Sequence, residues 1–379
     1  MPPGLYIHIP FCRAKCAYCS FTSIATPPPA AVDRYIDALR RDIAAVAPTI
    51  PSPAGTVYVG GGTPSILEER QLTRLFDTVL ESLRLLPDAE ISIEANPGTV
   101  TAAKARHLRT LNVNRVSLGV QSFSDAALRR LGRLHSSADA RSALSLLREA
   151  GIANVGLDLI YGTPGQARKN WEDDLEEAVA TRPQHLSLYA LSVEDGTPFA
   201  LTRRSGQLDL PAEEDVIWMY RHAGERLAAA GYEHYEISNW SLPGFRSRHN
   251  ENCWLMEEYA AAGAGAHAFR LTPSPRRTAN TGDIDEYIRT QEAGVSPVAS
   301  ETLLSSGDLA AETLMLGLRL RDGISLTSFL RRCGATPEAL FPEGMRMGFE
   351  NGWIHLEEGR IRLTDAGILF SDELFQHFF

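Results

Sequence analysis

Through its first half the chain repeats one pattern: a short run rich in Val, Ile, Leu and Tyr, then a stretch whose apolar residues recur at helical spacing. The strand-like runs are GLYIHIP (4–10), TVYVG (56–60), EISIEA (90–95), RVSLGVQ (115–121), NVGLDLIYG (154–162) and HLSLYAL (185–191). Between them, 30–46 and 139–151 place apolar residues at i, i+3, i+4 and i+7, and Gly151 supplies a C-terminal stop. Strands alternating with helices pair in parallel through right-handed crossovers, which disfavours an antiparallel sandwich. The pattern predicts an α/β fold, a partial barrel of six strand–helix units, with an open doubly wound sheet as the alternative.

The repeats fade after about residue 240, so 1–240 reads as the barrel. Residues 241–304 read as a barrel extension and linker, with RLTPSPRR (270–277) starting the linker. From 305 to 379 helical patterns precede WIHLE and RIRLT, two runs joined at Glu358-Gly359, which predicts an α+β module like a winged helix. Such modules often bind DNA, but a net charge of -10 argues against nucleic acid and favours packing or a protein partner. No run approaches the roughly 20 apolar residues of a membrane span. The N-terminal MPPGLYIHIP lacks the basic start of a secretory signal, so a cytoplasmic location is expected.

In barrels of parallel strands the reactive groups sit where strands end. The first run here leads into Cys12, Cys16 and Cys19, spaced C-x3-C-x2-C. The second ends in Gly60-Gly61-Gly62-Thr63-Pro64, the third in Glu94-Ala95-Asn96-Pro97 and the fourth in Gln121-Ser122, while the fifth carries Asp158. Taken singly, a glycine run is often only a tight turn and a strand-end carboxylate often caps a helix. Taken together they point to one mouth. Five cysteines, three of them clustered, do not make a disulfide framework. Three thiolates hold three irons of a 4Fe–4S cube and leave the fourth for a ligand from outside the protein, whereas cubes in electron carriers are closed by four cysteines.

C-x3-C-x2-C between a first strand and a helix resembles the signature of the radical S-adenosylmethionine (SAM) superfamily. The runs LYIHIPFC, YVGGGTPS, IEANP, SLGVQSF, LGRLHS, LDLIYGTPGQ, HLSLYAL, YEISNWS and RHNENCW, with GLRLRDGI and RLTDAG near the end, resemble the oxygen-independent coproporphyrinogen oxidase-like family over nearly the whole chain. The resemblance implies that Cys12, Cys16 and Cys19 hold the 4Fe–4S cluster and that SAM chelates its open iron and is cleaved to a 5′-deoxyadenosyl radical. It implies Tyr6 beside the SAM, Gly61, Gly62 and Thr63 around its methionine moiety, and Glu94, Gln121, Arg133 and Asp158 along the rest of the pocket. Glu94 suits ribose hydroxyls and Arg133 the methionine carboxylate.

Three activities occur within that family. The coproporphyrinogen III dehydrogenases carry a further cysteine two residues after the third, where this chain has Phe21, and an arm ahead of the motif for which Cys12 leaves no room. C-methyltransferases use two SAM molecules on sp² carbons and need no heme ligand. The heme chaperones add H-N-x-x-Y-W, and this chain has His249-Asn250-Glu251-Asn252-Cys253-Trp254, with cysteine in place of tyrosine. On this resemblance a heme chaperone is expected, the methyltransferase being the alternative and the dehydrogenase third. His249 is the expected heme ligand and Cys253 a second candidate, although cysteine also simply fills a tyrosine's place. The implied partners are heme, an apo-hemoprotein acceptor, an electron donor, a membrane surface and a second copy of the chain. His267 in GAGAHAF and His8 read equally well as structural, Trp171 and Trp218 as packing, and Cys333 as buried and inert.

Overall fold

The computed structural model describes all 379 residues. Six parallel strands follow in order: β1 (Gly4–Ile9), β2 (Ala54–Gly61), β3 (Leu85–Ala95), β4 (Arg115–Gln121), β5 (Asn154–Tyr161) and β6 (His185–Ala190). The crossovers carry α1 (Pro29–Val46), α2 (Glu69–Ser82), α3 (Ala102–Thr110), α4 (Asp125–Leu131), α5 (Ser137–Glu149) and α6 (Arg168–Ala180). These are the six units read from the sequence, and Gly151 ends the α5 segment with φ +83°.

Alternation along each strand divides the two faces. Leu5, Ile7 and Ile9 of β1, Val57 and Val59 of β2 and Ile91 and Ile93 of β3 join the main core beneath the helices. The opposite face is polar, bearing Thr56, Tyr58, Ser92, Glu94, Arg115, Ser117, Asp158 and Ser187. Parallel strands are usually apolar on both faces. Here the inward polar residues bond one another, as Tyr58 does Glu94 and Ser117 does Asp158.

Beyond β6 come α7 (Pro198–Arg204) and α8 (Glu213–Ala229), then β7 (Glu233–Glu236), β8 (Asn239–Ser241) and α9 (Arg248–Trp254). The next elements are β9 (Tyr259–Ala262), β10 (His267–Arg270), β11 (Arg276–Asn280), α10 (Ile284–Glu292) and β12 (Val298–Leu303). The sheet has twelve strands in the order β12-β11-β10-β9-β1-β2-β3-β4-β5-β6-β8-β7. RLTPSPRR therefore does not open a linker. It ends β10, turns and enters β11, which pairs antiparallel with β10 and β12.

The C-terminal module has its own core of Leu314, Phe329, Met345, Ile361 and Leu374 among others. Its order is α11 (Ser306–Leu318), β13 (Ile324–Ser325), α12 (Leu326–Cys333), α13 (Pro342–Glu350), β14 (Ile354–Glu357) and β15 (Arg360–Leu363). Strand, helices and hairpin follow the winged-helix arrangement expected. The hairpin turn has positive φ at Glu358 and Gly359, the two-residue geometry that matches strand twist. Arg246 bonds Asp322 and Arg332 bonds Glu257, joining module to barrel. No helix is long and apolar enough to cross a membrane.

Candidate functional site

After β1 the chain turns at Pro10 and is zipped to two neighbours. Gly62 N donates to Ile9 O (2.8 Å) and Thr63 N to Phe11 O (2.8 Å), while Thr26 N donates to Cys12 O (2.9 Å). The cysteine loop is also held by α4, since Ala17 N donates to Leu131 O (3.1 Å). Gly61 has φ +113°, and a Cβ on Gly62 would sit 2.8 Å from Phe11 O and 3.0 Å from Ile9 O. Only glycines allow this close approach of the two loops.

Each of two cysteines has a donor aimed at it: Thr63 Oγ1 donates to Cys12 Sγ (3.4 Å) and Arg133 Nη1 to Cys16 Sγ (3.4 Å). The second guanidinium nitrogen of Arg133 bonds Gly119 O (2.7 Å), and its buried Nε has no partner. No three histidine, cysteine or acidic side chains converge as around a single metal ion.

Cys12, Cys16 and Cys19 line a cavity of about 610 Å³ together with Gly61, Gly62, Thr63, Glu94, Gln121, Arg133 and Asp158. Ten of the eleven cluster and SAM residues named from the sequence thus meet in one space. Tyr6 is the exception. Its ring stacks on Tyr58 (6.2 Å) and its hydroxyl bonds His8 Nδ1 (2.9 Å), which places it behind the cavity wall. Tyr58, two residues before Gly60, lines the cavity instead. Glu94 accepts from Tyr58 Oη (2.9 Å) and from Gly61 N (3.0 Å), and burial, reinforced by the charge of Asp158, pushes its pKa up to about 7. Asp158 accepts from Ser117 Oγ (3.0 and 3.1 Å), and burial raises it too.

Sequence reading passed over Tyr58, Ser117 and Ser187. Stepping back by two from Gly60 and Gly119, and across to the neighbour of Asp158 in β6, would have found them. A glycine loop without side chains, an unpartnered buried guanidinium and a carboxylate that titrates near neutrality fit a 4Fe–4S cluster with SAM.

The RHNENCW segment lies elsewhere. It forms α9 and closes the opposite end of the barrel. His249 is 5% exposed, its Nδ1 shares a hydrogen bond with Thr56 Oγ1 (3.0 Å), and its ring stacks on Tyr58 (5.0 Å). Burial lowers its pKa to about 4, so the imidazole is neutral. Glu90 accepts from the backbone N–H groups of Arg248 and His249 (both 3.2 Å), and Arg319 covers Trp254 (4.4 Å). In this conformation His249 is packed beneath the cavity, with Nδ1 held by Thr56 and its ring stacked on Tyr58. The Cys253 thiol, pushed up to about 12 by burial, stays protonated and is a poor iron ligand here. Asn250 alone from this segment reaches the cavity. His8 is buried and bonds Thr22 O, whereas His267 is exposed. Trp171 packs in the core with its Nε1 donating to Met219 O, Trp218 stacks on His222, and Cys333 is half-buried rather than enclosed.

Three-thiol loop, glycine cradle and polar lumen together define a radical SAM protein. The family model of the radical SAM superfamily matches residues 6–178, and that of the HemN C-terminal domain matches 304–370. The chain is 36% identical to the heme chaperone HemW of Bacillus subtilis, covering 98% of each chain. With HemW of Escherichia coli it shares 34% identity over 100% of this chain and 98% of that one. The chain belongs to the HemW family. The solved structure of coproporphyrinogen III oxidase (HemN) from Escherichia coli shares the fold, with a TM-score of 0.87 at 23% identity over 100% of this chain and 90% of that one.

Proposed function

We propose that this protein is a heme chaperone, which binds heme and passes it to apo-hemoproteins. The observation that carries the reading is similarity to curated heme chaperones across barrel and C-terminal module alike, at 34–36% identity and nearly full length of both partners. The coproporphyrinogen III oxidase shares the fold through the module as well, but at 23% identity.

Cys12, Cys16 and Cys19 would hold the cluster, and Gly61, Gly62, Thr63, Glu94, Gln121, Arg133 and Asp158 the SAM. When bound, cluster and SAM supply one-electron reductive chemistry. Arg133 donates to Cys16 and keeps an N–H free for a carboxylate, which orients the SAM against the thiol loop. Glu94 exchanges its bonds from Tyr58 and Gly61 for ribose hydroxyls. Thr63 donates to Cys12 and holds the first thiol against the glycine loop. Tyr58, Ser117 and Ser187 fix the two carboxylates so that water does not set their orientation. His249 would hold heme iron through its second ring nitrogen, its Nδ1 staying bonded to Thr56 Oγ1. The finer partners of this reading are an apo-hemoprotein acceptor, an electron donor, a membrane surface and a second copy of the chain.

The test is an anaerobic transfer experiment: hemin-loaded protein is mixed with apomyoglobin and the Soret band is followed. Stoichiometric loading followed by transfer supports the reading. Absence of hemin binding would sink it, and methylated product from two SAM would then be sought.

A further inference from the structure

One cation inside the barrel is buried without a counter-charge. Arg115 opens β4 and is 2% exposed, yet no carboxylate oxygen lies within 4 Å of its guanidinium. Its one side-chain hydrogen bond is long, Nη1 to Asn154 Oδ1 at 3.4 Å, and its Nε has no partner. The two carboxylates of the lumen are turned to other donors: Asp158 accepts from Ser117 Oγ, and Glu94 from Tyr58 and Gly61. Arginine is almost never enclosed to this degree unpaired, because a charge taken out of water needs a counter-charge or a full set of hydrogen bonds.

Register places Arg115 just above the floor. Tyr58 pairs with Ser92 and Ser92 with Arg115, so all three share one layer of the inner face. Tyr58 is the ring on which His249 stacks (5.0 Å), and Thr56, two residues earlier in β2, bonds His249 Nδ1. Arg115 and Asn250, the neighbour of His249 in α9, both line the cavity whose other end holds the thiols. Arg133 serves that other end. It donates to Cys16 and to Gly119 O, four residues further along β4, about 13 Å of extended chain. The lumen thus has a guanidinium at each end, and only Arg133 adjoins the thiol loop.

A guanidinium takes a carboxylate through two parallel N–H groups, and heme carries two carboxylates on one edge of its ring. We propose that Arg115 anchors the cargo by this edge: a heme propionate enters the lumen and pairs with Arg115 beside Asn250, while His249 of α9 holds the iron. The proposal rests on the heme-chaperone reading and adds an orientation to it, with the iron at the floor and the acidic edge directed into the barrel. It supplies the counter-charge that Arg115 lacks.

The experiment titrates hemin and hemin dimethyl ester, whose propionates carry no charge, into the reconstituted full-length protein under anaerobic conditions. Wild type is compared with Arg115→Gln and Arg115→Lys, melting curves check folding, and calorimetry follows SAM. Wild type should bind hemin roughly 10-fold or more tightly than the ester. Arg115→Gln should bind the ester as wild type does and hemin roughly 10-fold more weakly, so that the preference disappears. Arg115→Lys keeps the charge without the two-pronged geometry; it should lose part of the preference, and it carries the test if the glutamine variant does not fold. A purely structural role would weaken both ligands alike. SAM affinity should stay unchanged. A full preference for hemin in the variants, or none in wild type, would overturn the anchor and leave the chaperone reading intact. Loss of SAM binding with the preference kept would assign Arg115 to the methionine carboxylate instead. No hemin binding by wild type would overturn the reading itself.

Discussion

The two ends of the barrel are made of similar residues and differ in that the floor is packed under α9 while the mouth lines an open cavity. At the floor, His249, Thr56, Tyr58 and Glu90 bond or stack with one another and with α9. At the mouth, three thiols, the Nε of Arg133 and the Glu94 carboxylate face a cavity of about 610 Å³. Buried polar groups without partners cost free energy, and partnered ones stabilise a unique packing. In this structure the motif histidine of the floor is packed and hydrogen-bonded, whereas the thiol loop lines an open cavity.

The largest effect expected is at the thiols. Cys16→Ser should cut the iron retained after anaerobic reconstitution from about four per chain to nearly none, by the logic of a three-cysteine cube. Iron and sulfide analysis reads this directly, and full retention would mean the loop is not the ligand set. The floor should answer in the opposite way. His249→Ala removes a buried, stacked and hydrogen-bonded ring, so it should cost about 2–4 kcal/mol in denaturant unfolding. Iron retention in the same variant should be unchanged.

Gly62→Ala probes the seam between the two mouth loops. Its Cβ would meet backbone atoms of Phe11 and Ile9, which cannot yield as a flexible side chain would. Overpacking of this kind costs about 1–3 kcal/mol, and calorimetry should also find weaker SAM binding. Glu94 gives a pH signature. Its folded pKa of about 7 lies above the ordinary ~4.3, so the native state holds this proton more tightly than the unfolded state. The stability it contributes is complete below pH ~4.3 and is lost as pH rises through about 7. Unfolding free energies at pH 5 and pH 8 should therefore fall more for wild type than for Glu94→Gln. The smallest effect is expected far from both ends: Arg34→Ala breaks an exposed pair with Glu292 and should cost under about 1 kcal/mol.

The mouth was legible in the sequence because it is written locally: each strand announces itself by β-branched and aromatic residues and ends in a polar or glycine-rich loop. The second half of the sheet was not. YAAA, HAFR, RRTAN and VASETL carry little period-two contrast, and the proline and arginine content of RLTPSPRR reads as a linker where the chain makes a hairpin. The place of His249 was beyond local reading for a different reason. Its burial depends on Thr56, 193 residues earlier, and no motif around RHNENCW records that contact. Tyr6 and Tyr58 are register partners on inward positions of neighbouring strands, and of the two only Tyr58 lines the cavity, a difference that local sequence does not record.

The most direct test of the whole account is the electron paramagnetic resonance spectrum of the reduced, reconstituted protein with and without SAM. A cube with three cysteine ligands has an iron open to SAM, so its g-values should shift when SAM is added to wild type. The same addition should shift them in His249→Phe, whose floor is altered but whose mouth is intact. A spectrum indifferent to SAM in wild type would mean that the fourth iron is closed, and the mouth would not be the binding end of the barrel.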